Sequence, residues 1–249
     1  MRVFGVLAVA FALVTVTWGC WSLVDVLALR TYRSTSTLPI VHVVELRAND
    51  AEVTLIPDAT DHIVVQRTIQ RGLRRADAQA VERDGRLVVS GGCGRPFGWH
   101  CAVSFTIHVP IDVDVVGQLR DGTLHDRGTH GSVRIGSGDG NIDLDDVEGP
   151  VALHSGDGDV HLRALTAPSV AVTSGDGSID VRLAGSPATV TLRAGDGDVD
   201  VCLPRSTPPY AVTAHTGDGS LTNQIPSVPG SPRTMTVTTG AGDAWLHLC

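Results

Sequence analysis

Lysine is absent from this sequence of 249 residues, so arginine alone supplies its fixed positive side-chain charge. Lysine and arginine together number 19 against 27 aspartates and glutamates, which gives a formal net charge of −8 at pH 7. No segment concentrates the arginines into a basic patch, and binding to nucleic-acid phosphates requires such a patch. We therefore expect no nucleic-acid partner.

Aromatic residues are also scarce, at 4% of the chain, whereas hydrophobic residues of all kinds reach 42%. The apolar material is ample for a core. Because its recurring members are valine, leucine and isoleucine, it favours a narrow interior between β-strands, where rings have little room. Helix is not indicated after residue 30.

Known catalytic and zinc-binding motifs are missing. The 10 histidines are scattered without an HExxH spacing, and no GxSxG motif occurs. No pair of cysteines has the CxxC spacing that is typical of zinc sites. The sequence therefore predicts a protein that is not an enzyme.

One long apolar run lies at the amino terminus, where residues 3–21 read VFGVLAVAFALVTVTWGCW. An uncharged run of this length suits a transmembrane helix of about 20 residues, and Trp18 and Trp21 suit its interfacial end. A cleaved signal peptide is the alternative, although no small-x-small cleavage site follows. Lipoprotein processing at Cys20 is disfavoured because Trp18 and Gly19 precede it. We expect residues 3–21 to attach the chain to the membrane as an uncleaved anchor.

Two cysteines indicate on which side of the membrane the bulk of the chain lies. The arginines that flank residues 3–21 do not determine this side. Cys93 and Cys101 flank GRPFGWH, whose glycines and proline can bend the chain until the two sulfurs meet. A disulfide there indicates an oxidising compartment, and two unpaired thiols are the alternative. The predicted location is the cell membrane, single-pass, with the bulk of the chain extracytoplasmic.

A Gly-Asp-Gly triplet recurs about every 20 residues in the second half of the chain. The repeats are SGDGNIDL at 137–144, SGDGDVHL at 155–162, SGDGSIDV at 174–181, AGDGDVDV at 194–201 and TGDGSLTN at 216–223, with a degenerate Gly-Ala-Gly at 240–242. Aliphatic residues alternate with polar ones on both sides of each triplet, as in β-strands with one buried face. A period near twenty with two strands per repeat predicts a β-solenoid.

The triplet is interpreted as the corner between the two strands of a coil. Ile135 and Ile142 are seven positions apart, so an uninterrupted strand would place them on opposite faces. Glycines that adopt positive φ can form a turn or bulge, which would allow the aliphatic residues on both sides of the triplet to face inward. We expect the stacked coils to form a column. Inside it, Ile142, Val160, Ile179 and Val199 should form one file, a single line of stacked side chains parallel to the column axis.

The predicted organisation has four parts. Residues 1–30 form the transmembrane anchor or signal segment, 31–39 a linker, 40–120 the N-terminal strands and cap of the solenoid, and 121–249 the Gly-Asp-Gly repeats. The arginine-rich stretch at 71–85 is the candidate for an inserted loop or short helix. The fold class is all-β, a single-stranded parallel β-helix or solenoid with an N-terminal transmembrane helix.

These features together resemble a known family. An apolar N-terminal span, a strand that ends in FTIHVP at 105–110, and tandem Gly-Asp-Gly repeats are similar to the bacterial putative adhesins, also catalogued as a domain of unknown function. The resemblance covers roughly residues 40–249 and implies a single-stranded β-helix displayed outside the membrane. Asn223 at an inward position and the Gly-Ala-Gly triplet depart from the pattern, so the last coils are expected to be irregular.

A ladder of carboxylates follows from stacking the triplets in register. Its members are Asp139, Asp157, Asp176, Asp196 and Asp218. Exposed carboxylates at this spacing repel one another by less than about 1 kcal/mol per pair in water, so a purely structural role suffices. Weak Ca²⁺ binding is the alternative because calcium prefers carboxylate and carbonyl oxygens, although the known nine-residue calcium repeat is not matched.

A second disulfide, between Cys202 and Cys249, stays open. Both side chains point outward on equivalent strands, but coils stacked in sequence order would place them two rungs apart, about 9.6 Å, beyond the Cα separation that a disulfide spans.

The expected function is that of a membrane-anchored extracytoplasmic β-solenoid, an adhesin or a spacer that binds an envelope, glycan or protein ligand. An envelope-stress or signalling accessory is one alternative, in which the anchor and the arginine-rich stretch matter more than the column. A β-helical carbohydrate-active enzyme is another, because parallel β-helices can host carbohydrate-cleaving sites.

Overall fold

The computed structural model describes residues 25–94 and 100–249, and its regular secondary structure is almost entirely β-strand. The strands before the triplet repeats are β1 (Arg30–Pro39), β2 (Val43–Ala48), β3 (Ala51–Pro57), β4 (His62–Arg71), β5 (Ala76–Arg83), β6 (Arg86–Cys93), β7 (Cys101–Val109), β8 (Asp114–Leu119) and β9 (Leu124–Arg127). Those of the repeats are β10 (Val133–Ser137), β11 (Ile142–Asp145), β12 (Val151–Ser155), β13 (Val160–Leu165), β14 (Ser169–Ser174), β15 (Ile179–Leu183), β16 (Thr189–Ala194), β17 (Val199–Leu203), β18 (Ala211–Thr216), β19 (Leu221–Asn223), β20 (Thr234–Thr239) and β21 (Ala244–Leu248).

The strands form two sheets that enclose one hydrophobic core. Sheet A has 11 strands in the order β1-β4-β7-β3-β9-β11-β13-β15-β17-β21-β19, and sheet B has 10 in the order β18-β20-β16-β14-β12-β10-β8-β2-β6-β5. Each repeat contributes one strand to each sheet, and neighbouring repeats pair in parallel. Eleven strands about 4.8 Å apart give a column about 50 Å long. The all-β solenoid prediction is confirmed.

The interior of the column is a set of aliphatic files. Ile142 pairs with Val160, Val160 with Ile179, and Ile179 with Val199, and all four side chains are at most 1% exposed. The predicted file is therefore confirmed. Burying a valine or leucine side chain stabilises a fold by about 1.5–3 kcal/mol, so the repeated apolar positions supply the main driving force for stacking.

The glycines of the corners serve a different purpose from the predicted one. None of the triplet glycines has a φ in the left-handed range, so the expectation of positive φ is wrong. Glycine is required because successive corners stack in close contact: a Cβ added to Gly175 would lie 2.7 Å from the carbonyl oxygen of Gly156, and one added to Gly195 would lie 2.6 Å from that of Gly175. The corner is thus a site of close backbone approach.

The N-terminal end of the column differs from the prediction in two places. Residues 31–39, expected as a linker, lie within β1, which pairs antiparallel with β4. Residues 71–85, expected as an inserted loop or short helix, contain β5, which pairs antiparallel with β6 at the edge of sheet B. Antiparallel strands at this end cover the parallel stack, because a column end must be covered to prevent edge pairing.

The rungs do not follow the chain order at either end. The rung β2-β3 lies between β6-β7 and β8-β9, and the last rung, β20-β21, lies between β16-β17 and β18-β19. Expected stacking in sequence order is therefore wrong at both ends. The final rung consequently borders β17, and Cys202 pairs in register with His247.

This order explains the second disulfide. Cys202 and Cys249 are bonded, with a Cα separation of 5.7 Å, because their strands are adjacent instead of two rungs apart. Cys93 and Cys101 are also bonded, with a Cα separation of 6.0 Å. Asn223, expected to disturb an inward position, lies exposed on the terminal rung, where its side-chain oxygen accepts a hydrogen bond from the Ile225 amide at 2.9 Å.

The predicted membrane segment, residues 3–21, lies outside the described residues. Within residues 25–94 and 100–249, no helix is long and apolar enough to cross a membrane.

Candidate functional site

The aspartate ladder lies exposed along one corner of the column. The amide of each triplet aspartate donates to the neighbouring corner: Asp157 to Gly138, and Asp176 to Gly156, both at 3.0 Å. The carboxylates project into solvent. The ladder is interrupted, since the inserted last rung places Ala241 between Asp196 and Asp218. These aspartates are held by the backbone as corner residues.

The ladder does not form a coordination site. Across the part of the chain that the structure describes, no three His, Cys, Asp or Glu side chains converge in a way that could hold a metal ion. Calcium needs several oxygen ligands around one point, whereas each ladder carboxylate belongs to a separate rung. The donor set therefore does not fit a resident calcium ion, and weak Ca²⁺ association with Asp139, Asp157, Asp176, Asp196 and Asp218 stays a prediction.

The serine before the triplet explains how the corner is closed. The Ser137 hydroxyl donates to the Gly140 carbonyl oxygen at 2.7 Å, and the Ser155 hydroxyl donates to that of Gly158 at 2.8 Å. Both serines are buried. Ser174 is equally buried, yet its hydroxyl has no hydrogen-bond partner among the described residues. The hydroxyl is therefore part of the corner at some rungs and dispensable at others.

The outer face of sheet A carries a row of histidines and carboxylates that the sequence analysis missed. His125, Asp143, His161, Asp180 and Asp200 occupy successive strands in register. The His125 ring lies 3.0 Å from Asp143, and the row ends beside His247, which lies 3.2 Å from Asp200. The signal was available, since each member lies five residues after the first glycine of its repeat or at the equivalent position of β9.

The outer face of sheet B is chemically different. We call the outward positions of β10, β12, β14, β16, β20 and β18 the threonine face. They are Arg134, Gly136, Ala152, His154, Ser169, Ala171, Thr173, Thr189, Thr191, Arg193, Thr234, Thr236, Thr238, Ala211, Thr213 and His215. No aspartate or glutamate occurs among them. Within the repeats, the outer face of sheet A therefore carries carboxylates and the threonine face carries none.

Hydroxyl groups on the threonine face form a regular lattice. Thr189 pairs with Thr234 in one row, and in the next row Thr236 pairs with both Thr191 and Thr213. Neighbouring rows are separated by two residues along a strand and neighbouring strands by about 4.8 Å. A shallow groove of about 340 Å³ continues this surface toward the N-terminal end, lined by Gln118, Arg134, His154 and Thr173 among others.

A cavity at the N-terminal end brings carboxyl groups together. It has a volume of about 430 Å³ and is lined by Asp50, Glu52, Gln70, Ser104 and Asp121 among others. Partial desolvation raises the pKa of Asp121, and a hydrogen bond with the Asp50 carboxyl raises it further. The cavity thus places the Asp50 and Asp121 carboxyl groups beside each other.

A buried carboxylate fastens the start of the described chain to the column. Asp25 is fully buried and accepts hydrogen bonds from the Leu73 amide at 2.8 Å and the His100 amide at 3.1 Å. The His100 ring lies 3.0 Å from the same carboxyl group. His100 directly precedes the disulfide-bonded Cys101, so the chain entering at Asp25 is tied to a cross-linked part of the fold.

One of the similar solved structures supports the fold. A structure named as a putative adhesin from Bacteroides fragilis NCTC 9343 is similar with a TM-score of 0.53 at 14% identity, covering 88% of this chain and 97% of that one. A putative adhesin from Parabacteroides merdae ATCC 43184 has a TM-score of 0.46 at 10% identity, covering 88% and 96%. A putative cell adhesion protein from Clostridium sporogenes ATCC 15579 has a TM-score of 0.44 at 11% identity, covering 88% and 100%.

The family comparison is more direct. No curated protein matches the chain. The model of the Toastrack DUF4097 family matches residues 118–243, just over half of the 249 residues, and the match includes every Gly-Asp-Gly triplet. The chain therefore belongs to the Toastrack DUF4097 family, whose function is unknown.

Proposed function

We propose that this protein is a membrane-anchored, extracytoplasmic, non-catalytic binding module of the bacterial cell envelope, which acts as an adhesin or spacer. The observation that carries the proposal is the regular two-sheet column, which displays long outer faces and joins the rest of the chain at one end. A repeated surface of this kind suits an extended ligand better than a small substrate, since small-molecule sites are concave and largely apolar.

The position of the chain entry supports the anchoring part of the proposal. Asp25 is buried at the antiparallel end of the column, against the loops near Leu73 and His100. With an anchor in residues 3–21, the rung β18-β19 lies farthest from the membrane, about 50 Å away at the spacing of stacked strands. The disulfides support an oxidising compartment, because such bonds persist mainly outside the cytoplasm.

The similarity to structures named as putative adhesins supports binding over catalysis. We infer adhesion from that similarity together with the exposed faces of the column.

Protease accessibility tests the location. The full-length chain with a C-terminal epitope tag is expressed in its host or a related bacterium, and intact cells or spheroplasts are treated with protease. We expect loss of the tag signal while a cytoplasmic marker survives, together with retention of the untreated protein in the membrane fraction. A protected tag in spheroplasts, or recovery of the whole chain in the soluble fraction, would contradict the proposal.

Adhesion is tested separately by displaying the full-length chain on cells that lack it. Binding to envelope glycans or foreign surfaces above the level of empty cells is the expected result. Specific recovery of a membrane kinase or regulator without surface binding would favour the signalling alternative instead.

A further inference from the structure

The threonine face carries no acidic side chain, although the chain as a whole has a net charge of −8. On the outer face of sheet A two of the basic groups face carboxylates: Arg182 lies 3.4 Å from Asp180, and His247 lies 3.2 Å from Asp200. On the threonine face no acidic side chain is available to do the same.

The basic groups of the threonine face are unpaired. Arg134, His154, Arg193 and His215 all point outward and are exposed. None of them forms an ion pair within 4.0 Å with a carboxylate of residues 25–94 or 100–249. The guanidinium groups of Arg134 and Arg193 therefore remain available for an external anion, although acids outnumber arginines in the chain. Arginine binds carboxylates with paired hydrogen bonds, which makes it well suited to this task.

The hydroxyl groups between the basic residues add a second requirement. Threonine hydroxyls both donate and accept hydrogen bonds, and β-branched side chains lose little rotamer freedom when they bind. The hydroxyls of Thr191, Thr236 and Thr213 recur at the strand spacing along the column. A ligand that matches them must be extended and must itself repeat hydroxyl groups.

From these observations we propose that the threonine face binds an acidic polysaccharide of the polyuronate class, lying along the column axis. Sugar carboxylates bind Arg134 and Arg193, and sugar hydroxyls bind the threonine lattice. The shallow groove beside Arg134 and His154 continues the same surface toward the N-terminal end. The inference deepens the proposed function by naming the ligand class, and it rests on that function.

The surrounding charges limit where such a ligand can lie. The triplet aspartates border the threonine face along one long edge, just beyond the strand ends, so they repel a polyanion there. Thr191 and Arg134 share one row farther from that edge, whereas Arg193 lies in the row beside it. Contact is thereby restricted to the face itself, and binding is expected to weaken with added salt because exposed charges are screened.

The test uses purified full-length chain and isothermal titration calorimetry with polygalacturonate at low salt. The test variant is Arg134→Glu combined with Arg193→Glu. The matched control is Arg163→Glu combined with Arg182→Glu, which changes charge equally at exposed positions of the opposite sheet. We expect the test variant to bind polygalacturonate at least about tenfold more weakly than the parent does. The affinity of the control should stay within about twofold of that of the parent.

A further variant probes the lattice without a change of charge. Thr191→Val combined with Thr236→Val preserves shape and removes two hydroxyls, so weaker binding is expected. Neutral dextran should not bind the parent. Circular dichroism and thermal melting of every variant separate lost binding from lost folding.

Several results would overturn the proposal. They are absence of polygalacturonate binding by the parent, equal weakening in both charge-reversal variants, or equal binding of duplex DNA, which would indicate only a general attraction of anions. A concentration-dependent dimer in sedimentation that the test variant abolishes would assign the face to a second copy of the chain. In each case, surface binding by displayed parent protein would leave the broader proposed function intact.

Discussion

Substitution of a single corner glycine tests the packing on which the column depends. Gly177 follows Asp176 in the third triplet, and its added Cβ would meet the carbonyl oxygen of Gly158 more closely than the 2.7 Å found at Gly175. Real Cβ atoms do not approach a carbonyl oxygen so closely, and the obstructing atom belongs to the backbone of a neighbouring rung. Gly177→Ala therefore forces two corners apart.

The expected cost follows from the stiffness of packed interiors. Overpacking a well-packed site typically costs about 1–3 kcal/mol, and here the neighbouring rungs are themselves packed on their far sides, which favours the upper end. About 3 kcal/mol lowers the folded-to-unfolded ratio more than a hundredfold. For a chain of this size it lowers the melting temperature by about 6–12 °C.

The matched control is Asp176→Ala, at the exposed position next to it. Its side chain makes no contact that the fold needs, so a change of no more than about 0.5 kcal/mol is expected. Urea denaturation followed by circular dichroism measures both variants under conditions that keep the disulfides intact. Equal stability of Gly177→Ala and the parent would refute the close stacking of the corners.

Three further predictions concern the stability of the fold. Burial raises the pKa of Asp126 from 3.8 to about 6, so its stabilising contribution is complete below about pH 4 and is lost as the pH rises through 6. The unfolding free energy of the parent should therefore fall over this pH range. Asp126→Asn should reduce that fall by up to about 3 kcal/mol, as measured by urea titrations at each pH. Ser155→Ala should cost about 1 kcal/mol, because its hydroxyl is bonded, whereas Ser174→Ala should be nearly neutral, and equal urea midpoints for the two variants would contradict this. Replacing both Cys202 and Cys249 by alanine should cost up to about 4 kcal/mol in the chain-entropy model, and a fully folded variant of unchanged urea midpoint would show that the cross-link adds nothing.

The sequence was sufficient for the repeating part of the fold. Alternation fixes which residues face inward, and the constant distance from each triplet fixes the register, so the file from Ile142 to Val199 could be predicted without coordinates. The triplet was also recognised as a corner. The reason for its glycines could not be predicted in the same way, because a clash with another rung is a long-range contact, whereas positive φ is a local property.

The order of the rungs could not be predicted from the repeats. Parallel rungs with equivalent apolar positions stack equally well in several orders, so alternation does not distinguish them. A clue was present in the cysteines: Cys202 and Cys249 can bond only if β17 and β21 are neighbours. If the rungs are assumed to stack in sequence order, the same two cysteines lie too far apart to bond.

Two strands at the N-terminal end, β1 and β5, could not be predicted for a related reason. β1 and β5 are edge strands that lack a fully buried face, with mostly exposed positions in β1 and half-buried alternate positions in β5. Their polar composition therefore resembles that of linkers and loops. Pairing with β4 and β6 supplies the order that hydrophobic periodicity could not reveal.

The outward positions determine what a repeating column can recognise. Inward positions must be aliphatic at every rung, but outward ones are free to differ between the two sheets, and stacking in register converts each choice into a line of like side chains. In the repeats, sheet A carries a row of histidines and carboxylates, and the threonine face of sheet B carries a lattice of hydroxyls with unpaired arginines. Because the chemistry repeats along one axis with a fixed spacing, affinity on either face grows with the length of ligand in contact, and a long polymer has an advantage over any single sugar or ion.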